Sequence, residues 1–328
     1  LVEEGLAYPC FCSEEELERI RESQEHEDIK GYYGEYAACR NLSFEEISKK
    51  IAAGEKWTLR LKSPGSIDKK CVFEDMIKGK IEMPENVQDI VLLKSDGIPT
   101  YHFASVVDDH LMRTTHIVRG DEWISSCPIH LQLNKLLGFK TPKFVHVAPI
   151  MKAEGEGKRK LSKRKDPEAA VTYYSEQGYP SESVNEYMMT LANSNFEDWR
   201  RANKAEDINK FPFNIKKMSV SGALFDIAKL DDISKTVISV MDCKKVFELS
   251  HEWAKEYCEP LARLYEADFE YATAILNIDR GNKKPRKDIA KWSDIPDYIS
   301  YMYDETFSPD YTPVSYTHLR AHETCADL

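Results

Sequence analysis

The feature that most constrains the fold is a strand–helix–strand pattern between residues 116 and 147. The run His116–Arg119 is short, largely apolar and followed by a polar turn, and Phe144–Val147 has the same character. Between these two runs, apolar residues recur at helical spacing after Ser125. Two strands that flank a helix indicate a parallel sheet, whose ligands bind at the carboxyl ends of the strands. We therefore predict an α/β architecture for this part of the chain.

A mixed α+β segment precedes this unit. Ser13 and Ser43 each stand before a run that contains acidic residues, and this pattern predicts a capped helix after each serine. Residues 57–61 alternate in polarity as a strand does, and residues 71–75 are predicted to pair with them.

The chain becomes helical from about residue 167. Residues 168–177 and 183–193 carry apolar side chains at helical spacing. Residues 211–230 link them to a charged segment, residues 233–303, which is also predicted to be helical.

The charge of the chain limits the partners that it can bind. The 328 residues include 45 Lys and Arg against 56 Asp and Glu, a net charge of −11. This balance argues against indiscriminate nucleic-acid binding, which depends on neutralised phosphates. Two basic clusters, residues 158–165 and 280–287, are either local nucleic-acid footprints or solvated faces. No apolar run approaches the roughly 20 residues of a membrane helix, so we expect no membrane partner.

The first basic cluster suggests a phosphate-binding loop. Residues 158–165 place six basic side chains around Leu161 and Ser162, after a glycine-containing stretch at residues 154–157 that we expect to be flexible. A mobile loop with paired lysines suits a nucleoside triphosphate, whose charge shifts during reaction. The alternative is a solvated basic loop.

Several segments together carry a resemblance to a known family. Residues 160–164 read KLSKR, and the run LLKSDGIPTYHFASVVDDHLMRTTHIVRGDEW ends at Trp123. Residues 142–149 and 220–226 continue the match in the same order. The KLSKR string resembles the KMSKS signature of class I aminoacyl-tRNA synthetases, and the whole set resembles bacterial-type glutamyl-tRNA synthetases over most of residues 1–313. The resemblance implies ATP-dependent activation of glutamate and its transfer to tRNA, with ATP and Mg²⁺ as cofactors.

The resemblance also implies a domain order. The expected fold is the second half of a class I synthetase Rossmann-type domain with an α+β insertion, then a stem-contact region and an α-helical anticodon-binding domain. The implied segments are residues 1–95 (insertion that binds the acceptor stem), 96–150 (second half of the nucleotide-binding domain), 151–232 (KLSKR loop and stem contacts) and 233–313 (start of the anticodon-binding domain). A cytoplasmic monomer is expected, with tRNA and glutamate as partners.

Both ends of the chain depart from the family pattern. The chain begins with Leu1, and it contains no HxGH string and hence no HIGH motif. We interpret it as an N-terminally truncated fragment, which we expect to be inactive alone. Residues 314–328 resemble translated sequencing adapter and are interpreted as a non-native tail, with an ordinary disordered tail as the alternative.

The resemblance assigns catalytic roles to the KLSKR loop. Lys163, with Lys160 and Arg164 beside it, is expected to stabilise the departing pyrophosphate, and Ser162 to shape the loop. No protein nucleophile is needed, because positioning and charge stabilisation supply most of the rate.

The resemblance also assigns the substrate-binding residues. Arg119 is expected to hold the γ-carboxylate of glutamate, because guanidinium binds carboxylate bidentately; the alternative is a structural ion pair with Asp121 or Glu122. Tyr101 and Ser105 are expected near the same substrate, although Ser105 replaces the asparagine of several relatives. Tyr101, Arg119 and the KLSKR loop are expected near strand ends.

Two further residues are expected to border the adenosine. Glu122 and Trp123 lie beside the ATP pocket in this interpretation, together with Lys163, and the alternative for Trp123 is core packing. The Asp-Asp-His run at residues 108–110 is predicted to be a structural turn after a strand rather than a metal site.

Four residues near the start form a candidate zinc site. The eight cysteines show no disulfide framework, which favours a reducing compartment. Cys10 and Cys12, with Tyr36 and Cys39, resemble a Cys-x-Cys…Tyr…Cys set that binds zinc in some relatives, although Tyr36 stands one residue closer to Cys39. Thiolates favour tetrahedral zinc; the alternative is reduced, buried thiols.

Other functions remain as alternatives. One is a related class I synthetase that charges glutamine, whose C-terminal region is rich in β-structure. Another is a relative that puts glutamate on a modified tRNA base and lacks the helical C-terminal domain. The helical residues 233–303 argue against both. The remaining alternative is a non-catalytic tRNA-binding fragment.

Overall fold

A computed structural model describes residues 1–204 and 206–308, which fall into two compact units. The first unit comprises Leu1–Met151 with Ala192–Leu224, and the second comprises Lys152–Leu191 with the chain from Phe225 onward. The proposed non-native tail, residues 314–328, lies outside the described residues. Among the helices of the described part, none has the length and hydrophobicity that a membrane span requires.

The two units contain nine described strands and twelve described α-helices. The strands are β1 (Ala7–Cys10), β2 (Thr58–Leu61), β3 (Lys70–Asp75), β4 (Gly79–Pro84), β5 (Val91–Leu93), β6 (His116–Gly120), β7 (Lys143–Val147), β8 (Met151–Glu154) and β9 (Gly157–Lys160). The helices are α1 (Glu14–Ser23), α2 (Phe44–Ala52), α3 (Tyr101–Leu111), α4 (Cys127–Leu136), α5 (Val171–Gln177), α6 (Ser181–Ala192), α7 (Phe196–Ala202), α8 (Ile227–Val240), α9 (Cys243–Tyr257), α10 (Glu259–Ala267), α11 (Phe269–Leu276) and α12 (Ile295–Ile299).

The two predicted capped helices are confirmed as α1 and α2. Ser13 accepts a hydrogen bond from the backbone N–H of Glu16, and the Glu16 carboxylate accepts one from the backbone N–H of Ser13. Ser43 and Glu46 form the same reciprocal pair at the start of α2. Each pair satisfies two backbone donors that would otherwise lack partners, so these starting points follow from local sequence alone.

The strand–helix–strand prediction is also confirmed. Strands β6 and β7 are parallel, Arg119 lies opposite His146, and α4 connects them. Strand β3 joins β7 in parallel and pairs with β4 in antiparallel orientation, which gives the order β4-β3-β7-β6.

The predicted pairing of residues 71–75 with residues 57–61 is wrong. Strand β2 instead pairs with β1 and β5 in a separate three-stranded sheet. The partner of β3 is set by core packing, because Phe73 lies edge-on to Phe144, with 5.4 Å between the ring centroids, in a cluster that also holds Ile117 and Cys127. Alternation of polarity identifies a strand face but does not select its neighbour.

The predicted turn at residues 108–110 is wrong as well, because all three residues lie in α3. Val106 of this helix packs with Leu133 of α4 in a buried cluster, and the helix continues through residues 108–110 to Leu111. The ring of His110 stacks on Phe139 at a centroid distance of 3.7 Å. The run is therefore structural, as expected, but helical.

The second unit is built mainly from helices. Its core contains Val246, Leu261, Tyr265, Ile295 and Ile299, contributed by α9, α10 and α12. Helix α8 runs without a break across the expected segment boundary between residues 232 and 233.

Candidate active site

The four residues Tyr101, Ser105, Arg119 and Trp123 are brought together in the first unit. Arg119 lies near the carboxyl end of β6, and its guanidinium carbon is 5.5 Å from the ring centroids of both Tyr101 and Trp123. The two rings are themselves 4.9 Å apart. The Arg119 Nη2 atom donates a 2.6 Å hydrogen bond to Ser105 Oγ. One side of the guanidinium is thereby held, and the faces of the two aromatic rings attract its positive charge.

The ion-pair alternative for Arg119 finds no support in this geometry. Asp121 accepts a 3.1 Å hydrogen bond from Lys78 Nζ, which also donates to the backbone carbonyl of Val220 at 3.1 Å. Within residues 1–204 and 206–308, no Asp or Glu side chain forms an ion pair with Arg119. Its guanidinium therefore remains available to a carboxylate ligand. Lys78 was not identified from the sequence, because it lies 43 residues from Asp121.

Glu122 lies against the backbone of the same turn. A Cβ atom built on Gly120 would come within 2.3 Å of a Glu122 carboxylate oxygen, so the Glu122 side chain folds back over the Gly120 Cα. The close approach places a carboxylate beside the strand end that carries Arg119.

Two neutral histidines lie next to Arg119. The His102 Nδ1 atom is 3.0 Å from His130 Nε2, and His130 is buried. Burial, with a smaller effect of the Arg119 charge, lowers the pKa of His130 to about 4 and also lowers the pKa of His102. Both rings are therefore uncharged at neutral pH and do not repel Arg119.

The buried histidine makes stability depend on pH. The folded pKa of about 4 for His130 lies below the unfolded value of 6.5. The unfolded chain therefore binds more protons between these pH values, and the free energy of unfolding should fall as pH is lowered from 6.5 to 4. One pKa unit is worth about 1.4 kcal/mol, so the loss should approach ~3 kcal/mol.

This loss is measured by unfolding the whole protein in urea at pH 7 and at pH 4.5. Hydrogen exchange of the amides in the first unit monitors the unfolding of that unit. His130→Gln should reduce the dependence on pH, whereas His26→Gln, a change at an exposed site, should leave it as in the wild type. Equal dependence in all three proteins would contradict the assignment.

A second buried network supports the sheet beside Arg119. The Asp75 carboxylate accepts hydrogen bonds from His146 Nδ1 at 2.8 Å and from the His146 backbone N–H at 2.9 Å. Burial alone would raise the pKa of Asp75, but these bonds and the N–H groups of Ile77 and Lys78 hold it below the ordinary value. Burial raises the pKa of Cys127 to about 12, so this thiol, 3.7 Å from His146 Nε2, stays protonated and is no nucleophile.

The KLSKR loop lies in the second unit. It follows the two-stranded sheet of β8 and β9, so its expected position at the end of a parallel strand is wrong. The stretch expected to be a flexible hinge forms a tight turn, where Gly155 has a φ of +58°. Lys160 ends β9, and Lys163 and Arg164 are exposed.

The shape of this loop is set by a buried carboxylate. Asp166 accepts hydrogen bonds from Arg159 Nη1 and Nη2 at 2.5 and 2.7 Å, and from the backbone N–H of Ser162 at 2.9 Å. Lys152 Nζ lies 3.0 Å from the same carboxylate. The bonds from Arg159 hold the pKa of Asp166 well below its usual range. Arg159 is therefore structural, and the exposed lysine and arginine remain for a ligand.

The three cysteines Cys10, Cys12 and Cys39 form a cluster in the first unit. Their sulfur atoms all lie within 4.8 Å of one another. Tyr32, not Tyr36, brings its hydroxyl to them, at 3.4 Å from Cys10 Sγ and 3.3 Å from Cys12 Sγ. The Tyr36 hydroxyl instead donates to Glu27 at 3.2 Å. Hydrogen bonds from the other two thiols lower the pKa of Cys10, so the cluster favours one thiolate. Cysteine thiolates are ligands that zinc prefers, and the Tyr32 hydroxyl places an oxygen beside the three sulfurs.

Comparison with known proteins places this geometry in a family. The family model described as "tRNA synthetases class I (E and Q), catalytic domain" matches residues 1–232. The chain is 51% identical over 311 residues to a glutamate–tRNA ligase of Clostridium perfringens and 50% identical over 309 residues to one of Acetivibrio thermocellus. Each match covers 94% of this chain and 57% of the relative, so the chain spans little more than half of their length.

A solved structure shares the fold. The glutamate tRNA ligase of Elizabethkingia meningosepticum, crystallised with its amino acid, superposes with a TM-score of 0.75 at 24% identity. The match covers 99% of this chain and 67% of that chain.

Proposed function

This chain belongs to the class I tRNA synthetases of the glutamate and glutamine type, and we propose that it forms part of a glutamate–tRNA ligase. The proposed reaction has two steps. A carboxylate oxygen of glutamate attacks the α-phosphate of ATP, which forms glutamyl adenylate and releases pyrophosphate. A ribose hydroxyl at the 3′ end of tRNA then takes the glutamyl group, which releases AMP.

The observation that carries the choice of glutamate is the environment of Arg119. Its guanidinium is fixed by Ser105, flanked by Tyr101 and Trp123, and has no carboxylate partner among the described residues. A half-buried cation without a counterion favours an anionic ligand. The γ-carboxylate of glutamate satisfies this requirement, whereas the neutral amide of glutamine does not.

The KLSKR residues supply the complementary charge for ATP. Lys163, with Lys160 and Arg164, would stabilise charge that develops on the departing pyrophosphate. The backbone N–H of Ser162 would hold the loop through the hydrogen bond that it donates to the Asp166 carboxylate. Glu122 and Trp123 would border the adenosine. Family membership supports ATP and Mg²⁺ as cofactors, with Mg²⁺ neutralising phosphate charge.

The remaining segments would contact tRNA. We propose that the α+β insertion within residues 1–95 binds the acceptor stem, that residues 151–232 contact the stem, and that the helices from residue 233 begin an anticodon-binding domain. A monomer in the cytoplasm fits the seven described cysteines, all of which are free.

ATP–pyrophosphate exchange tests the proposed function. The protein that contains this chain should exchange label with glutamate and far less with glutamine. Faster exchange with glutamine would favour a synthetase that charges glutamine. The absence of both activities would favour a tRNA-binding role without catalysis. The sample for this assay is the full-length protein, because the chain spans only 57% of the length of its relatives.

The thiol cluster is proposed to hold zinc. Bound zinc would join β1 to the loop that carries Cys39, and it would act in the structure rather than in the reaction. The residues of this chain that would hold it are the three cysteines and Tyr32.

Metal content measures this proposal without reference to activity. The purified protein should contain about one zinc per chain, and Cys10→Ser should lose it. Tyr32→Phe should weaken zinc retention against a chelator, whereas Tyr36→Phe should not. Retention that depends on Tyr36 instead, or a metal-free protein after preparation in zinc, would refute the assignment.

A further inference from the structure

The last residues of the KLSKR string lie in a turn that Asp166 closes on itself. The backbone N–H of Ser162 donates to the Asp166 carboxylate at 2.9 Å, and the backbone N–H of Asp166 donates to the Ser162 carbonyl at 2.8 Å. The backbone N–H of Lys165 donates to the same carbonyl at 3.0 Å. Both backbone polar groups of Ser162 are therefore satisfied within the turn. Lys163 and Arg164 follow Ser162 in the turn, and both are exposed.

The Asp166 carboxylate is itself held by two cations of the same unit. It is only 2% exposed, and the two Nη atoms of Arg159 donate to its two oxygens, at 2.5 and 2.7 Å. Lys152 Nζ lies 3.0 Å from the oxygen that accepts the longer of these bonds, and it also contacts the Glu168 carboxylate. A carboxylate bound in such a fork cannot rotate freely. The direction of its bond to Ser162 is therefore fixed before any ligand binds.

The exposed part of the turn has no comparable support from side chains. In the part of the chain that the structure describes, neither Lys163 nor Arg164 has a hydrogen-bond or ion-pair partner for its side chain. The position of the Lys163 ammonium thus depends on the backbone of the turn. That backbone is fixed by the bonds between Ser162 and Asp166.

We propose that Asp166 is a positioning residue for glutamate activation and that it acts through Lys163. The inference rests on the proposed ligase function, in which Lys163 stabilises charge on the departing pyrophosphate. A donor that is already in place stabilises such charge best, because no reorganisation is needed at the moment of reaction. Arg159 contributes one step further away, by holding Asp166. The basic cluster therefore contains both a residue that acts on the substrate and a residue that supports the turn.

A double-mutant cycle in the full-length protein tests this role. Asp166→Asn keeps the size of the side chain but removes the charge that binds the fork. It should lower kcat for ATP–pyrophosphate exchange with glutamate by about tenfold or more, the scale of a misplaced catalytic group, with little change in the KM for glutamate. In a Lys163→Ala background the same substitution should have little further effect, because its target is absent. A merely structural role would lower kcat by the same factor in both backgrounds.

Glu154 provides a matched control on the same arginine. It is exposed and accepts a 2.9 Å hydrogen bond from Arg159 Nε, whereas the bond to Ser162 belongs to Asp166. Glu154→Gln should therefore leave kcat unchanged. Trypsin supplies a measurement that does not depend on activity. Cleavage after residues 163 and 164, followed by mass spectrometry, should be about tenfold faster in Asp166→Asn, because a bond to a charged acceptor no longer closes the turn. Glu154→Gln should be cleaved like the wild type.

The outcomes separate this role from the proposed function. If the wild type exchanges with glutamate but Asp166→Asn equals Glu154→Gln in kcat or in cleavage rate, the positioning role is overturned and the ligase function stands. Equal losses of kcat in the two backgrounds overturn it as well. If the wild type shows no exchange, the proposed function fails, and the positioning role fails with it. Circular dichroism checks folding. If Asp166→Asn does not fold, Arg159→Lys, which keeps the charge but cannot form the fork, replaces it in both backgrounds and decides the outcome.

Discussion

Replacing Arg119 with leucine is expected to abolish most glutamate use while it leaves ATP binding nearly unchanged. Truncating one partner of a hydrogen-bonded charge pair costs about 2–5 kcal/mol, much of it from the carboxylate left unpaired. On the scale of tenfold per 1.4 kcal/mol, kcat/KM for glutamate should fall by about 30- to 3,000-fold. Exchange kinetics and the separate affinities for the two substrates measure this effect in a protein that also carries the HIGH half-site.

Lys78 provides the comparison that separates recognition from structure. Its side chain joins Asp121 to the Val220 carbonyl, so Lys78→Met should loosen the turn that carries Trp123. We expect that variant to lose melting temperature, with glutamate and ATP affected alike. If Arg119→Leu behaved in the same way, with equal losses for both substrates and a lower melting temperature, Arg119 would be a structural residue.

Replacing Lys163 with alanine is expected to lower kcat for glutamate activation by roughly 10²-fold or more, the scale of losing one preorganised charge donor. The KM for glutamate should change little, because the lysine would act on phosphate charge that develops in the transition state. Lys163 is exposed, so the substitution should leave the fold intact.

Lys165 serves as the matched control for this loop. It is also exposed, and it lies just beyond the KLSKR string. Lys165→Ala should retain near-normal kcat. Equal, small effects of the two substitutions would reduce the KLSKR run to a solvated basic loop.

Arg280 shows how the second basic cluster divides between structure and surface. Its guanidinium donates to the backbone carbonyls of Leu276, Ile238 and Met241, which lie at or near the ends of two helices. It therefore satisfies carbonyls that lack intrahelical partners. Arg280 is therefore not free to bind nucleic acid, and only the other basic residues of the run 280–287 are. The number of basic residues in the sequence thus overstates the size of a nucleic-acid-binding surface here.

The parts that the sequence determined by itself are those governed by near neighbours. The starts of α1 and α2 follow from a serine and a glutamate three residues later, because this pair caps the helix without help from the rest of the chain. The β6–α4–β7 unit follows from apolar periodicity over about 30 residues. Tyr101, Ser105, Arg119 and Trp123 were named from the family resemblance, and the structure brings their side chains together.

Only the tertiary structure decided which distant groups meet. The Tyr32 hydroxyl contacts the thiols, although the spacing of Tyr36 from Cys39 is closer to the family pattern. The Tyr36 hydroxyl bonds Glu27 instead, because the path of the loop decides which of the two rings faces the cysteines. The Asp75 carboxylate is hydrogen-bonded to His146, which lies 71 residues away in the chain. Arg60 donates to the backbone carbonyl of Asp89, whose carboxylate forms an ion pair with Arg40. Strand β3 pairs with β7 rather than β2 because Phe73 packs on Phe144. Residue spacing encodes which face of an element is buried, but contacts between elements depend on the folded path of the whole chain.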